Sequence, residues 1–405
     1  MSRPRILLVD DEPSILDGLR RQFRVDRARW DFDAASSGAE ALAKLRDQPC
    51  DVVISDMRMP GMDGAELLRT VAERHPGTIR FVLSGDAEPA AIQRVRFVAH
   101  QYLMKPCTAD GLRRALERTL THRSGVSSPD VLAAVTGLEP LPHHPRVVEA
   151  LRRLLAAGTT DAAGIADLVE RDIALAAKLM QLANSGRDPE DAPVTGIGDA
   201  VRQAGPTAVR TLLDRELSAD RSDAELQRTE RGSPIHEAAW AGASLVRQIA
   251  LDLDRAELAE AAFAARLLRD AGRLILAARG DAATIDRSTA CGVADDDRTD
   301  VRAAGAFLLA LWGVPQELVD AAADCSENPT FGDRTLAGLI HTADLCSRQP
   351  AGPSGPNGPL QGGPHAVEPA SPDRWRQAAA RLSAEARFRT IGPTAGFGAE
   401  CERFP

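Results

Sequence analysis

Three apolar runs in the first third of the chain each lead into charged residues whose types suit phosphoryl transfer. The first run leads into the acidic pair Asp10-Asp11, the second into Asp56 and the third into Lys105. A carboxylate can act as a covalent nucleophile toward phosphorus. Neighbouring acids can share a Mg²⁺ ion, which prefers oxygen ligands with few carboxylates among them. The acidic pair alone would also fit an exposed helix start, but its occurrence together with Asp56 and the lysine favours a site.

The segments around these residues alternate between strand and helix patterns. Apolar runs of strand length lie at 5–10, 32–36, 51–56, 79–84 and 101–105. Apolar residues at helical spacing lie at 14–23, 39–46, 65–74, 90–98 and 109–120. Apolar strands joined by helices predict an α/β fold with a doubly wound, parallel, five-stranded sheet. Ligands bind at the carboxyl ends of strands in such sheets, so the residues at the strand ends are expected to converge. These residues are Asp10, Asp11, Asp56, Ser84 and Lys105.

Four segments of this region match the motifs of a known family in composition and order. They are 9–12 (Val-Asp-Asp-Glu), 56–64 (Asp-Met-Arg-Met-Pro-Gly-Met-Asp-Gly), 83–85 (Leu-Ser-Gly) and 102–106 (Tyr-Leu-Met-Lys-Pro). On these motifs, residues 1–121 resemble the receiver domain of bacterial response regulators. The resemblance implies that Asp56 accepts a phosphoryl group from a sensor histidine kinase.

The resemblance also implies how the acids and the lysine share the work. Asp11, Asp56 and the backbone carbonyl of Arg58 would bind Mg²⁺ directly, and Asp10 would act mainly through water. Clustered acids repel one another and the incoming phosphoryl group, and a divalent cation removes that conflict. Lys105 would pair with a phosphoryl oxygen as a compact point charge, a task that suits lysine better than the planar fork of arginine.

Three further residues are implied to act in switching. Ser84 would hydrogen-bond a phosphoryl oxygen, and Tyr102 would rotate into the space that the Ser84 loop vacates. Pro106 would follow a cis peptide bond. The readout surface would then comprise residues 90–98, 101–105 and 109–120, as a two-state element biased by local charge. Receiver self-association through this 90–120 face is one expected outcome, and a changed contact with the rest of the chain is the other.

Composition limits the function classes. The 405 residues suggest about two or three domains, and the formal charge of -9 gives no overall attraction to nucleic acid or anionic membrane. No helix-turn-helix with a basic face is evident, so DNA binding is not expected. The six cysteines contain no Cys-x-x-Cys pair, and no apolar stretch has the length of a membrane span. With a strand predicted almost at the N-terminus, a signal peptide is not expected. These features predict a cytoplasmic protein with reduced thiols.

Beyond a polar linker predicted at 122–129, the strand pattern disappears. Helical spacing occurs at 147–155, 162–169, 174–183, 200–213, 238–251, 258–276, 303–311, 317–323 and 336–346. Residues 130–348 are therefore predicted to form an all-α domain. Lys178 is expected to be solvated, and Asn184 to terminate a helix. Residues 349–405 are expected to hold a Gly/Pro-rich linker and a short helix with Trp375, Ala379 and Leu382 on one face.

Several stretches of the helical region resemble the HDOD output domain, a degenerate relative of the HD and HD-GYP phosphohydrolases. They are 138–142, 165–172, 176–185, 197–201, 262–272 and 304–315. Where an HD phosphohydrolase has a His-Asp pair, this sequence has Arg269-Asp270, and the later family histidines fall near Asp300 and Cys325. A metal site that activates water needs several such ligands. The resemblance therefore implies a domain without a metal, which signals by binding a protein partner or a ligand and is not an enzyme.

Two other functions remain open for the helical region. A metal-dependent phosphodiesterase would need a site built from His236, Asp270 and other acids, whereas His236 is expected to be a hydrogen-bonded residue at a helix end. The pair His143-His144 lies between prolines, and no carboxylate or histidine is expected beside it. A sensor that binds a cyclic dinucleotide without cleaving it is the third possibility, since the helices are rich in arginine.

Overall fold

A computed structural model describes residues 3–85, 98–105, 108–137, 141–158, 161–185, 191–216, 223–279, 295–323, 334–348 and 372–386. The first region is an α/β domain with strands β1 (Arg5–Val9), β2 (Asp31–Ala35), β3 (Val52–Asp56), β4 (Ile79–Ser84) and β5 (Gln101–Met104). Its described helices are α1 (Pro13–Gln22), α2 (Gly38–Asp47), α3 (Gly64–Arg74) and α4 (Ala109–Ser124). The helix predicted at 90–98 falls almost entirely outside the described residues, and Val98 itself lies in a turn.

All the strand pairs are parallel, in the order β2-β1-β3-β4-β5. The predicted α/β fold with a parallel five-stranded sheet is therefore confirmed. The central strands β1 and β3 are buried almost throughout because helices cover both faces of the sheet. Side-chain caps begin α2, α3 and α4, where Ser37, Asp63 and Thr108 each accept an N–H from the first turn.

The second region is helical in all its described elements. They are α5 (Pro129–Thr136), α6 (Pro145–Ala156), α7 (Ala162–Val169), α8 (Ile173–Asn184), α9 (Ile197–Glu216), α10 (Asp223–Asp252), α11 (Ala256–Leu268), α12 (Ala271–Arg279), α13 (Asp295–Leu311), α14 (Gln316–Ala323), α15 (Leu336–Arg348) and α16 (Pro372–Ala386). The all-α prediction is confirmed for these residues. Positive φ at Gly205, followed by Pro206, interrupts α9.

The helical region differs in detail from the sequence expectations. Residues 122–124, at the start of the expected linker, continue α4. Residues 129–136, for which no separate helix was predicted, form α5 with Ser128 as its cap. The single helix expected at 258–276 is two helices, because the chain turns at Arg269-Asp270 between α11 and α12.

The two regions share one apolar core. A cluster of buried side chains runs from one face of the sheet, through Leu116 and Leu120 of α4, into the helical region. A second cluster fills the other face of the sheet. Helix α16 packs on α10 and α15, and Trp375, Ala379 and Leu382 are buried there as predicted. In the described parts of the chain, no helix is both long and apolar enough to cross a membrane.

Candidate functional site

Asp56 ends the fully buried strand β3, and the residue as a whole is only 7% exposed. Its Oδ2 atom accepts the backbone N–H of Arg58 at 2.7 Å. That bond orients the carboxylate by backbone geometry alone, because it uses the turn that immediately follows the strand. The parallel register places Asp56 beside Leu83 of β4, one residue before Ser84.

Asp10 and Lys105 lie directly after β1 and β5 and meet the Asp56 side chain. The ammonium Nζ of Lys105 lies 2.9 Å from Oδ2 of Asp10 and also donates to Oδ1 of Asp56. Oδ1 of Asp10 accepts the backbone N–H of Glu12 at 2.9 Å. Three side chains from distant parts of the sequence therefore form one cluster at the carboxyl edge of the sheet.

The two acids of the cluster raise the pKa of Lys105. Burial lowers the pKa of Lys105, but hydrogen bonds to Asp10 and Asp56 outweigh it, so that the pKa lies above its ordinary value. Lys105 therefore carries its charge throughout the physiological range. It neutralises part of the charge of the two acids and presents a fixed cation beside Asp56.

Of the other residues expected at the site, Asp11 and Tyr102 are described in full, whereas Ser84 is described only in part. Asp11 follows Asp10 and is half-buried, and the structure describes no side-chain hydrogen bond or ion pair for it. Ser84 is the last residue of β4, and its side chain lies outside the described part. Tyr102 lies in β5 and packs against the apolar cluster of the second sheet face. Pro106 falls outside the described residues.

Gly64 is a site residue that sequence reasoning missed. A Cβ atom there would collide with the backbone carbonyl oxygen of Asp56, and the N–H of Gly64 donates to Met57 O at 3.0 Å. Only glycine lets the start of α3 approach the end of β3 so closely. The signal in the sequence was the Asp63-Gly64 pair, in which the aspartate caps the helix and the glycine makes the contact.

A second cluster of acids and cations lies in the helical region, around Arg269-Asp270, and here the cations outnumber the acids. Asp270 accepts from Arg266 at 2.9 Å and from Arg273 at 3.2 Å. Asp344 of α15 accepts from Arg266 at 3.0 Å and from Arg269 at 2.8 Å. Every carboxylate oxygen of the two acids therefore has a guanidinium partner.

The arginines of this second cluster lower the pKa of both acids, although burial acts in the opposite direction. Burial raises the pKa of Asp270, but the guanidinium groups of Arg266 and Arg273 outweigh it and lower that pKa to about 2. The pKa of Asp344 is lowered in the same way by Arg266 and Arg269, against the effect of burial. Both acids remain ionised and bound to arginine, so a metal at this point would have to displace the guanidinium groups.

His143, His144 and His236 form a third buried group in the helical region, and for the first two the structure differs from the sequence expectation. His143 Nδ1 lies 3.3 Å from Oδ1 of Asp172, the cap of α8. The ring of His144 lies 5.9 Å from that of His236. His143-His144 was expected to lack a neighbouring carboxylate or histidine, yet both are present, because residues far apart in sequence meet in the helical core.

His236 is hydrogen-bonded as expected, but it lies well inside α10 rather than at a helix end. Its Nδ1 accepts the N–H of Ile173 at 3.1 Å, so its Nε2–H donates to Pro142 O at 3.0 Å. Both ring nitrogens are thus used to join α10 to the start of α8. Among the described residues, no group of three or more His, Cys, Asp or Glu side chains is placed to hold a metal ion.

Lys178 and Asn184 of α8 both make contacts within the protein. Lys178 was expected to be solvated, but its Nζ lies 3.8 Å from the centre of the Trp312 ring. Asn184 does end α8, as expected. Its side chain also exchanges two hydrogen bonds with the backbone of Val194, which ties the end of α8 to that residue.

Comparisons with known proteins follow the division seen in the structure. Residues 6–117 match the family described as the response regulator receiver domain, and residues 141–328 match the HDOD domain. The hydrogenase transcriptional regulatory protein HoxA of Cupriavidus necator is 39% identical over 122 residues, which are 28% of this chain and 24% of that protein. The DNA-binding transcriptional regulator NtrC of Escherichia coli is 34% identical over 123 residues, 30% of this chain and 26% of that protein.

The chain thus spans about a quarter of the length of these two relatives. Among solved structures, a signal receiver domain of an HD domain-containing protein from Pseudomonas fluorescens is 32% identical. It covers 30% of this chain and 97% of that one, with a TM-score of 0.28. The assignment rests on the two family matches and on the motifs and fold described above. The chain therefore carries the receiver domain of a two-component response regulator, followed by an HDOD domain.

Proposed function

We propose that this response regulator is phosphorylated on Asp56 by a sensor histidine kinase and signals through its HDOD domain by binding rather than by catalysis. The observation that carries the proposal is the cluster of Asp56, Asp10 and Lys105 at the carboxyl edge of the sheet. It offers a nucleophilic carboxylate, a second acid and a fixed cation that lies within hydrogen-bond distance of both acids.

The proposed step transfers a phosphoryl group from a kinase phosphohistidine to a carboxylate oxygen of Asp56. The P–N bond breaks as the new P–O bond forms, and the kinase imidazole keeps the electron pair of the broken bond. Arg58 N–H holds one Asp56 oxygen in place, so the carboxylate does not rotate away from the incoming group. Lys105 then passes from the two acids to a phosphoryl oxygen, and Ser84 is proposed to bind another.

The donor set at this edge fits Mg²⁺, with Asp11, Asp56 and the backbone carbonyl of Arg58 as the proposed ligands and Asp10 acting through water. Two carboxylates, a carbonyl and waters are the oxygen ligands that Mg²⁺ prefers. When bound, the cation would neutralise charge that the acids and the phosphoryl group bring together. Lys105 supplies part of that neutralisation through its contacts with Asp10 and Asp56.

The non-catalytic role of the HDOD domain is supported by the arginine-filled cluster around Asp270. The rival function, a metal-dependent phosphodiesterase, would need the Asp270 oxygens that Arg266 and Arg273 occupy. Metal analysis of the full-length protein tests this. Stoichiometric iron or manganese that persists in the Asp11→Asn variant would lie outside the receiver domain and would revive the rival.

The central test is phosphoryl labelling of the full chain with phosphoramidate in Mg²⁺, followed by intact mass measurement and by peptide mapping of the acyl phosphate. Wild-type protein should gain one phosphoryl group at Asp56. Asp56→Asn should fold normally and gain none, while Asp63→Asn, a nearby capping acid, should still be labelled. Specific labelling that persists in Asp56→Asn would refute the assignment.

A further inference from the structure

Helix α16 lies beyond the part of the chain that matches the HDOD family. That match ends at residue 328, whereas α16 comprises Pro372–Ala386. The helix follows residues 349–371, whose Gly- and Pro-rich sequence is typical of a linker. It packs on α10, which belongs to the matched region, and on α15. The side chains of α16 therefore have to hold it on the domain.

One face of α16 is apolar and buried. Trp375 anchors this face, since it has no exposed surface and its Nε1–H donates to Oδ2 of Asp252 at 2.9 Å. A buried indole needs such an acceptor for its N–H. The rest of the face follows at helical spacing and comprises Ala378, Ala379, Leu382 and Ala386. An aromatic anchor followed by smaller apolar residues is a pattern by which an amphipathic helix binds in a groove.

Charged groups of the HDOD domain meet both ends of α16. Asp252 ends α10 and, besides accepting the indole N–H, lies 3.7 Å from the guanidinium of Arg374. At the other end, Glu385 lies close enough to Arg171 to act on its charge. Burial lowers the pKa of Arg171, and Glu385 is among the acids that oppose this effect. The guanidinium of Arg171 in turn lies 4.0 Å from the centre of the Trp240 ring of α10.

The helices α10 and α16 run in opposite directions. Trp375, near the start of α16, meets Asp252 at the end of α10, and Glu385 lies near Arg171 about 15 Å further along. An acid in the last turn is unfavourable for a helix on its own, so Glu385 suits the groove better than it suits the isolated helix. Its pair with Arg381, at 3.6 Å, is exposed and contributes little.

A second copy of the chain is a poor competitor for this groove. Because α16 and the groove belong to one chain, the effective concentration of α16 is high. The α16 helix of a second copy would offer identical contacts without that advantage. A helix of another protein can displace α16 where its apolar face fills the groove better than the three alanines of α16 do.

We infer that α10 and α15 form a groove for an amphipathic helix, that α16 fills it in the free protein, and that a helix of a partner protein replaces α16 in signalling. The partner helix would carry a tryptophan with a basic residue directly before it. Apolar residues would follow three, four and seven positions later and an acid ten positions later, as they do in α16. The inference deepens the proposed function and rests on it for the claim that the HDOD domain signals by binding.

Binding of a separate helix to the full chain tests the groove. The probe is a fluorescein-labelled peptide of residues 372–386, and fluorescence anisotropy measures its affinity. The Trp375→Ala protein loses the anchor of its own α16, so it should bind the peptide about 10- to 100-fold more tightly than wild type does. A peptide with the same substitution should not bind. Failure of a Trp375→Ala protein with wild-type circular dichroism to bind the peptide would overturn the inference.

Asp252 tests the specificity of that binding. Combined with Trp375→Ala, Asp252→Ala should weaken peptide binding about 10-fold, because it removes the acceptor of the indole N–H and the partner of Arg374. Glu149→Ala, which removes an exposed acid of α6 paired with Arg153, should leave peptide binding unchanged in the same background. Binding that is equal with and without Asp252 and with and without the peptide tryptophan would refute the groove.

Wild-type protein provides a test that needs no variant. If α16 detaches as a unit, its amides should exchange faster than those of α10 and α15, which stay protected. Exchange of α16 only together with α10 would overturn the inference. A wild-type dimer in analytical ultracentrifugation that Trp375→Ala abolishes would assign the groove to a second copy and refute the partner helix. These measurements use neither Mg²⁺ nor a phosphoryl donor, so a negative result leaves phosphorylation of Asp56 standing, and failed labelling of Asp56 leaves the groove standing.

Discussion

The chain contains two clusters of acids and cations, and they differ in which charge dominates. At the edge of the sheet, Asp10 and Asp56 share one lysine, and the two carboxylates outnumber it. In the helical region, Asp270 and Asp344 are surrounded by three arginines that take up all their oxygens. The first arrangement has negative charge left for a metal cation. The second has its carboxylates already neutralised.

The difference teaches how two sites with related residue types reach opposite functions. A compact ammonium such as that of Lys105 can move from an acid to a phosphoryl oxygen with little geometric change. Arg266 is bonded to two acids, Asp270 and Asp344, which lie in different parts of the helical region. A movement of its guanidinium would therefore break the ion pairs with both acids. The receiver cluster is thus suited to change state, whereas the helical cluster is suited to hold α11, α12 and α15 together.

The comparison would break most clearly if the helical cluster proved unimportant for stability. Asp344→Ala leaves Arg266 and Arg269 buried without one of their acids, and breaking a buried pair costs about 3 to 5 kcal/mol. Urea unfolding should show that loss in the free energy of unfolding, with phosphoryl labelling at Asp56 unchanged in native conditions. Glu149→Ala, which removes an exposed pair with Arg153, should change stability by less than about 0.5 kcal/mol. A loss below about 1 kcal/mol in Asp344→Ala would mean that water replaces the carboxylate.

The receiver cluster should respond to loss of its lysine in binding rather than in folding. Lys105→Met should weaken beryllofluoride binding in Mg²⁺ by about 10- to 100-fold, since a charge-assisted hydrogen bond contributes about 1.5 to 3 kcal/mol. Lys105→Arg should recover only part of that affinity. Calorimetric titration measures both. Lys44→Met, which removes a lysine bound to Asp33 elsewhere in the domain, should bind like wild type. Equal weakening in both methionine variants would show a general effect of charge.

Acid should affect the helical core through its histidines. Burial lowers the pKa of His144 to about 4, and that of His236 below its ordinary value. A folded-state pKa below the unfolded value of 6.5 means that the stability is present above pH 6.5 and is lost as pH falls toward 4. The free energy of unfolding should fall by on the order of 2 kcal/mol over that window. His144→Gln should flatten the fall, and an unchanged slope in that variant would exclude His144 as a cause.

The sequence predicted the site better than it predicted the contacts between the two regions. Strand ends were readable because buried strands are apolar runs, and the charged residues after them stand out. Helix α5 was missed because its signal, a Ser-Pro start followed by five apolar residues, is short and directly follows a polar, turn-rich stretch. The histidine group was missed because Asp172 and His236 come from other helices. Arg80, which donates to Thr136 O at the end of α5, offered a signal that was not used, because it is the single charged residue of strand β4.

Magnesium provides the mildest test of the difference between the clusters. Since Mg²⁺ should bind the folded receiver cluster and not the unfolded chain, magnesium at about ten times its Kd should add about 1.4 kcal/mol of stability. The gain, seen as a shift of the thermal midpoint, should vanish in Asp11→Asn. It should persist in Asp270→Asn, measured against that variant's own midpoint without magnesium, because Arg266 and Arg273 already occupy that carboxylate. A magnesium effect lost in Asp270→Asn but kept in Asp11→Asn would reverse the comparison and place the metal in the helical region.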